Sequence, residues 1–261
     1  MLDQMIQFFT SAFVFPGLSW TSILIAIAIG IAFGTAWLAP YRPPVTAKHG
    51  LWGVLAASAF LTWAAIAFIQ IPLQQWTGRA LLHFWDQSTL MKWLLLAGIP
   101  QILLSGIVQE AAKLVPVVVY WWRSQWNFTP KFGLIAGAVS GAGFGVFEAV
   151  WVHNTIFASG WTMNSVETYG FMALLGFVER FFAVGFHIGV SALAGYGLAR
   201  HLGWQFYLIA ALLHGATNYS VILLQAGLLT AVQVEVYVAV IVVAVTTVAL
   251  WLRRRQASAV D

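Results

Sequence analysis

Long apolar runs, separated by short polar or proline-containing segments, dominate the chain. A helix needs about 20 apolar residues to cross a bilayer, and seven runs reach that length. We predict membrane-spanning helices over residues 18–38, 51–71, 93–122, 133–157, 170–199, 203–226 and 232–252. Only helices and closed barrels satisfy the backbone in lipid, and these runs are too long and too apolar for barrel strands. The pattern therefore predicts an all-α polytopic membrane protein, a single domain over 1–261 with about seven transmembrane helices around a polar intramembrane cavity.

Prolines and mixed segments set the predicted ends of the spans. Pro72 closes the second span, and residues 73–92 read as a loop or an interfacial helix. The third span is long enough to be tilted, or kinked at Pro100. Residues 1–17 predict a short interfacial segment before the first span.

Composition strengthens the membrane assignment and excludes other classes. The chain is 61% hydrophobic and 8% charged, against roughly 25% charged residues in soluble domains. Cysteine is absent, which excludes disulfides, a thiol nucleophile and thiolate metal ligands. The net charge of +4 is modest, and its distribution indicates membrane orientation and no nucleic-acid partner.

The basic residues predict the orientation in the bilayer. The predicted loops put eight on one side and two on the other, so we expect a cytoplasmic C-terminus and an N-terminus outside. The eight are Arg42, Lys48, Arg123, Lys131, Arg200, Arg253, Arg254 and Arg255; the two are Arg79 and Lys92.

A short polar motif interrupts the third span. Gln109 and Glu110 lie four and three residues before Lys113, spacings that bring each side chain close to the lysine on a helix. Charges inside a membrane helix cost at least a few kcal/mol, so they usually face a cavity, a partner or a substrate path.

The fourth span carries a glycine every four residues, at Gly133, Gly137, Gly141 and Gly145. Such a ridge lets another helix approach closely. Glu148 follows near the same face and is expected to point into the bundle. A carboxylate simply bonded to a neighbouring helix is the alternative to a functional one.

The fifth and sixth spans add further polar side chains. Glu179 and His187 share a broad face of the fifth span, whereas Arg180 is rotated by about 100°. We expect Arg180 to pair with Glu148 or Glu110, not with Glu179. A structural ion pair and a core histidine are the alternatives to function.

His214 and Asn218 are four residues apart in the sixth span. They can bind a water molecule, a metal ion or an oxyanion together. The remaining histidines are predicted to be chance surface residues: His49, His83, His153 and His201.

These groups come from four consecutive spans and can all lie at middle depth. Carboxylates and histidines around a buried cavity suit water activation. Such groups also form proton relays in transporters. However, many transporters are built from two repeated halves, and the two halves of this chain show no repeat.

The chain resembles the PrsW/YhfC-like intramembrane proteases, in the wider group of CAAX prenyl endopeptidases and bacteriocin-immunity proteases. The resemblance rests on four motifs in order between residues 106 and 218. They are Gln109-Glu110-Ala-Ala-Lys113, Gly141-Ala-Gly-Phe-Gly-Val-Phe-Glu148, Glu179-Arg180 with His187, and His214-Gly-Ala-Thr-Asn218. No GxSxG elbow or HExxH zinc helix is present.

The resemblance implies an endopeptidase that cleaves a membrane-anchored protein or peptide in a prokaryotic cytoplasmic membrane, with a catalytic core over about 93–226. It also implies the site. The catalytic set would be Gln109, Glu110, Glu148, His187, His214 and Asn218; the supporting charges would be Lys113, Glu179 and Arg180. His187 and His214, with Glu110 or Glu148, make zinc a candidate cofactor; a glutamate-type enzyme without metal is the alternative.

One residue departs from the family pattern. Gln109 stands where the relatives carry the first glutamate of a pair, and glutamine cannot act as a carboxylate base. A deliberate Glu→Gln substitution is the favoured explanation. The alternatives are an enzyme that uses Glu110 or Glu148 as base, and a catalytically silent binding or immunity protein.

Overall fold

The computed structural model of the protein describes residues 2–256, and its regular secondary structure there is entirely helical. Twelve α-helices follow one another along this part of the chain. They are α1 (Leu2–Thr10), α2 (Trp20–Leu38), α3 (Gly50–Ala65), α4 (Ile71–Phe84), α5 (Gln87–Lys92), α6 (Leu94–Ala97), α7 (Ile99–Arg123), α8 (Pro130–Ala158), α9 (Met163–Tyr169), α10 (Leu175–Ala199), α11 (Gly203–Gln225) and α12 (Ala231–Arg255).

Seven helical stretches of the described chain are long and apolar enough to cross a membrane, as the sequence predicted. They are Trp20–Tyr41, Gly50–Phe84, Leu94–Arg123, Pro130–Ala158, Met163–Ala199, Gly203–Gln225 and Ala231–Arg255. The protein is therefore an all-α integral membrane protein.

The second span differs from its prediction. It does not end at Pro72, because a π-helical turn over Ile66–Gln70 joins α3 directly to α4 and the helix continues to Phe84. Pro72 lies in the first turn of α4, where a missing N–H group is tolerated. Of the two forms predicted for residues 73–92, a loop or an interfacial helix, the structure thus has a helix over the first half, continuous with the second span.

The helix of the third span is interrupted close to Pro100, where a kink was predicted. The short helix α6 ends before Gly98, and α7 starts at Ile99 with Pro100 in its first turn. A second proline, Pro116, lies inside α7. Because proline has no N–H group, it removes one hydrogen bond of the helical ladder there.

The glycine ridge of α8 packs directly on the backbone of α10. A methyl group added at Gly133, Gly137 or Gly141 would overlap a carbonyl oxygen of α10. These oxygens belong to Gly195, Ser191 and His187. The contact confirms the close approach predicted from the spacing, and it fixes the register of the two helices that carry Glu148 and His187.

The remaining helices surround this pair. Helices α2 and α3 pack against α8, α12 packs against α10, and α7 packs against α11. Helix α1 lies against the second span: the indole Nε1 of Trp63 donates to the Phe9 carbonyl oxygen at 2.9 Å, and Phe8 stacks on the Trp63 ring. The polar residues of α7, α8, α10 and α11 thus face a common interior.

Candidate metal centre

A carboxylate and two imidazoles from three helices converge inside the bundle. Glu110 of α7, His187 of α10 and His214 of α11 each offer a ligand atom, and these atoms lie within 4.8 Å of one another. Nδ1 of His214 is 2.6 Å from Oε1 of Glu110. All three side chains are buried, with at most 4% of each residue exposed.

The three residues occupy matching depths. Each lies near the midpoint of its helix, since α7 spans 99–123, α10 spans 175–199 and α11 spans 203–225. At 1.5 Å of rise per residue, this puts the cluster near the middle of the transmembrane bundle. Water and ions must therefore enter the protein to reach it.

Lys113 lies against two of the three residues. Its Nζ donates to Oε1 of Glu110 at 2.6 Å and is 2.9 Å from Nδ1 of His187. The ammonium group thus forms an ion pair with Glu110 that is almost completely buried. Such a pair is expensive to bury and cannot lose one partner without leaving an uncompensated charge.

A second charged group supports His187 from the side away from Lys113. Oε2 of Glu148 lies 3.2 Å from Nε2 of His187 and 2.9 Å from NH1 of Arg180. Arg180 also contacts both carboxylate oxygens of Glu179. Glu148 therefore links the ring of His187 to an arginine that two carboxylates hold.

These contacts decide two predictions about charge pairing. Arg180 pairs with Glu148, as expected, but it also pairs with Glu179, which the 100° rotation was thought to prevent. The prediction failed because a long arginine side chain can bend back over its own helix. Gln109 makes no hydrogen bond with Lys113 either, since its Nε2 donates to Oε1 of Gln70 at 3.0 Å and its Oε1 has no partner among the described residues.

Asn218 lies one helical turn from His214, on the same face of α11. Its Nδ2 donates to Oγ of Ser105 on α7 at 2.7 Å. Ser105 and Gln70 are polar partners that sequence reasoning missed. Both lie within apolar runs, and only their polar side chains could have drawn attention to them.

His153 also differs from its prediction. Instead of lying at the surface it is fully buried, stacked on Phe177 and edge-on to Phe33. The structure does not bring it into the cluster of Glu110, His187 and His214.

The donor set fits a metal ion of the zinc type. Catalytic zinc sites use three histidine and carboxylate ligands and leave one position open. Ligand distances of about 2.0–2.2 Å put neighbouring donors about 3.4 Å apart on a tetrahedral ion, so atoms within 4.8 Å of one another need only small shifts. Lys113 contacts Glu110 and His187, so its ammonium group lies close to the position that an ion would take.

A protein-family model described as "PrsW family intramembrane metalloprotease" matches residues 43–248. The match includes every residue of the cluster; it begins after the first span and ends within the last one. No curated protein and no solved structure matches the chain.

Proposed function

Because the chain belongs to the PrsW family of intramembrane metalloproteases, we propose that it hydrolyses a peptide bond of a membrane-anchored protein or peptide at mid-depth in the bilayer. The observation that carries this proposal is the buried convergence of Glu110, His187 and His214. We further propose that the membrane is the cytoplasmic membrane of a prokaryote, with the C-terminus in the cytoplasm.

We assign the metal-binding role to Glu110, His187 and His214, and zinc to the site. Zinc supplies Lewis acidity, which activates water and polarises a carbonyl group. The hydrogen bond between Glu148 and Nε2 of His187 supports this assignment. Metal-bound histidines usually give their second ring nitrogen to a carboxylate, which fixes the tautomer and the orientation of the ring.

Glu148 is the carboxylate that we assign to proton transfer, since Glu110 serves as a ligand. Arg180 and His187 orient Glu148, which keeps part of its side chain exposed. It accepts one proton of the attacking water as the new C–O bond forms at the scissile carbonyl carbon. It then delivers that proton to the amine nitrogen as the C–N bond breaks.

The negative charge that develops on the carbonyl oxygen needs a donor. We assign this role to Asn218, because one N–H of its amide is bound to Ser105 and the second is left to donate. Amide donors held in place before the reaction stabilise such charge effectively.

Gln109 does not prevent this chemistry. Of the three explanations for glutamine at this position, the contacts support an enzyme that works with an amide there. The Nε2 of Gln109 is a donor in a buried hydrogen bond, and a carboxylate has no donor to replace it. Glu110 and Glu148 remain as the carboxylates of the reaction.

The experiment that tests the proposal is a cleavage assay. The purified protein, in detergent, is incubated with a library of membrane-anchored peptides, before and after treatment with a zinc chelator. We expect cleavage that the chelator abolishes and added zinc restores. Cleavage by a preparation proven free of metal would contradict the metal assignment, and no cleavage by the zinc-loaded protein would contradict the protease assignment.

A further inference from the structure

Gln109 presents a buried hydrogen-bond acceptor one residue before the carboxylate assigned to metal binding. Only 7% of the residue is exposed, and its Oε1 has no hydrogen-bond partner among the described residues. Its neighbour in the chain is Glu110, at the same depth of the bundle. A donor that reaches the site from a bound molecule would satisfy this oxygen.

A row of glutamines sets which atom of Gln109 is left free. The Nε2 of Gln109 donates to Oε1 of Gln70 at 3.0 Å, and the Nε2 of Gln70 donates to Oε1 of Gln74 at 3.4 Å. The Nε2 of Gln74 then donates to the backbone carbonyl of Gln101 at 2.9 Å, and Gln101 Nε2 donates back to the Gln74 carbonyl at 3.1 Å. We call these four residues the glutamine row.

The row can run in one direction only. Its last acceptor is a backbone carbonyl, which cannot donate, so Gln74 must turn its NH₂ group toward Gln101. Gln74 then offers its oxygen to Gln70, and Gln70 offers its oxygen to Gln109. A reversal at Gln109 would put two amide oxygens against each other, so the inner end of the row is always an oxygen.

The backbone supports this arrangement. Gln70 is the last residue of the π-helical turn between α3 and α4, a kind of turn that is frequent at functional sites. Through its hydrogen bond with Gln109, Gln70 connects the second span to α7 at the residue before Glu110. The row therefore holds the side-chain amide of Gln109 in one orientation, on the helix that also carries the proposed metal ligand Glu110.

We propose that Oε1 of Gln109 is a substrate-binding acceptor, which takes a hydrogen bond from a backbone N–H of the peptide near the scissile bond. The inference rests on the proposed function, because it takes the bound molecule to be a peptide. A peptide must be unfolded locally to be hydrolysed, and its freed N–H groups then need acceptors that lipid does not supply. The Gln109 oxygen is such an acceptor at the depth of the metal ligands.

The test replaces single backbone amides of one peptide by esters, which removes one N–H at a time. The probe is the tightest-binding member of the peptide library described above. Both its Kd and its kcat/KM are measured for the unaltered protein, for Gln109→Met and for the control Gln75→Met, which changes a glutamine of α4 outside the row.

We expect one ester position to weaken binding and lower kcat/KM by about 3- to 10-fold in the unaltered protein, the loss of one hydrogen bond. In Gln109→Met, the peptide without an ester should bind more weakly and show a lower kcat/KM by the same factor. An ester at the sensitive position should then have no further effect on either quantity. In Gln75→Met the ester effect is unchanged.

Two results separate the proposals. If peptides are cleaved but every ester has the same effect in Gln109→Met as in the unaltered protein, the acceptor role is wrong, and Gln109 binds water or only supports the fold. If the ester effect on Kd depends on Gln109 but no peptide is cleaved, the subsite stands and the protease assignment falls. The ester series in the unaltered protein tests the proposal even if Gln109→Met does not fold, since a series without a sensitive position would overturn it.

Discussion

Oε2 of Glu148 on α8 lies 3.2 Å from Nε2 of His187 on α10, so a carboxylate of one helix orients a candidate metal ligand of the next. Helix α8 supplies no member of the three-residue metal set itself. It acts on the set through this contact, through the ring of Phe144, which packs edge-on against His187, and through the backbone contact that holds α8 against α10.

Changes at Glu148 should separate orientation from proton transfer. Glu148→Gln keeps an oxygen that can accept from His187 but removes the proton acceptor. We expect little change in zinc affinity and a loss of hydrolysis of at least about 100-fold. Glu148→Ala should in addition weaken zinc binding by about 10- to 100-fold, the usual effect of removing a group that orients a ligand. Zinc affinity is measured by competition with a coloured chelator; full activity of Glu148→Gln would refute the proton-transfer role.

Removing either histidine of the set should abolish both metal binding and hydrolysis. His187→Ala and His214→Ala each leave two protein ligands, and catalytic zinc sites normally use three. We expect substoichiometric zinc after purification, measured by elemental analysis, and no peptide cleavage. The exposed His83 provides the control, since His83→Ala should keep both properties. Unchanged turnover in both site variants would contradict the proposed mechanism.

Lys113 should oppose metal binding. Its ammonium group contacts Glu110 and His187, and two positive charges about 4 Å apart repel by several kcal/mol at an effective dielectric constant of 20. Lys113→Met keeps the length of the side chain and removes the charge. We expect it to tighten zinc binding by at least about tenfold, while the metal-free protein becomes less stable because Glu110 loses its ion-pair partner.

A chelator titration and a thermal melt of the metal-free protein check the two halves of this prediction. Weaker zinc binding by Lys113→Met would mean that the lysine helps to hold the metal and does not compete with it.

Gln109→Glu should not create a better enzyme. The carboxylate cannot donate to Gln70, so the glutamine row loses its inner hydrogen bond and a second negative charge is buried beside Glu110. We expect a lower melting temperature and no gain in peptide cleavage. A large gain in cleavage would show instead that Glu at this position is the base, and that the protein with Gln109 is a silenced form.

The glycine ridge should tolerate no added methyl group. In Gly141→Ala the new Cβ would overlap the carbonyl oxygen of His187, and overpacking of this kind costs about 1–3 kcal/mol. We expect a lower melting temperature and weaker zinc binding, because His187 moves with its backbone. Gly53→Ala is the matched control: its Cβ would meet nothing within 4 Å, so the higher helix propensity of alanine should leave stability equal or slightly raised.

The sequence predicted the spans well because a lipid environment leaves the backbone few choices. Apolar length found all seven, and the four-residue glycine spacing found the partner surface of α8. The end of the second span was missed at Pro72, because a π-helical turn can carry a helix past a proline and leaves no pattern in hydropathy.

The candidate site could be predicted in its charged parts only. Glu110, His187 and His214 attracted attention because ionisable groups are rare in spans, and three-residue spacing placed Lys113 near Glu110. Neutral partners such as Gln70 gave no comparable signal. Contacts between helices distant in sequence, such as that of Gln70 with Gln109, depend on packing that no local pattern encodes.

The direct backbone contact between α8 and α10 along the glycine ridge also limits how the protein can move. Most helix contacts adjust by rotamer changes, but the α8 glycines touch carbonyl groups directly, and a backbone contact has no rotamers to change. The two helices must therefore move together as a rigid pair, which keeps Glu148 and His187 aligned. Any opening that admits a substrate has to come from movement of the helices around this pair.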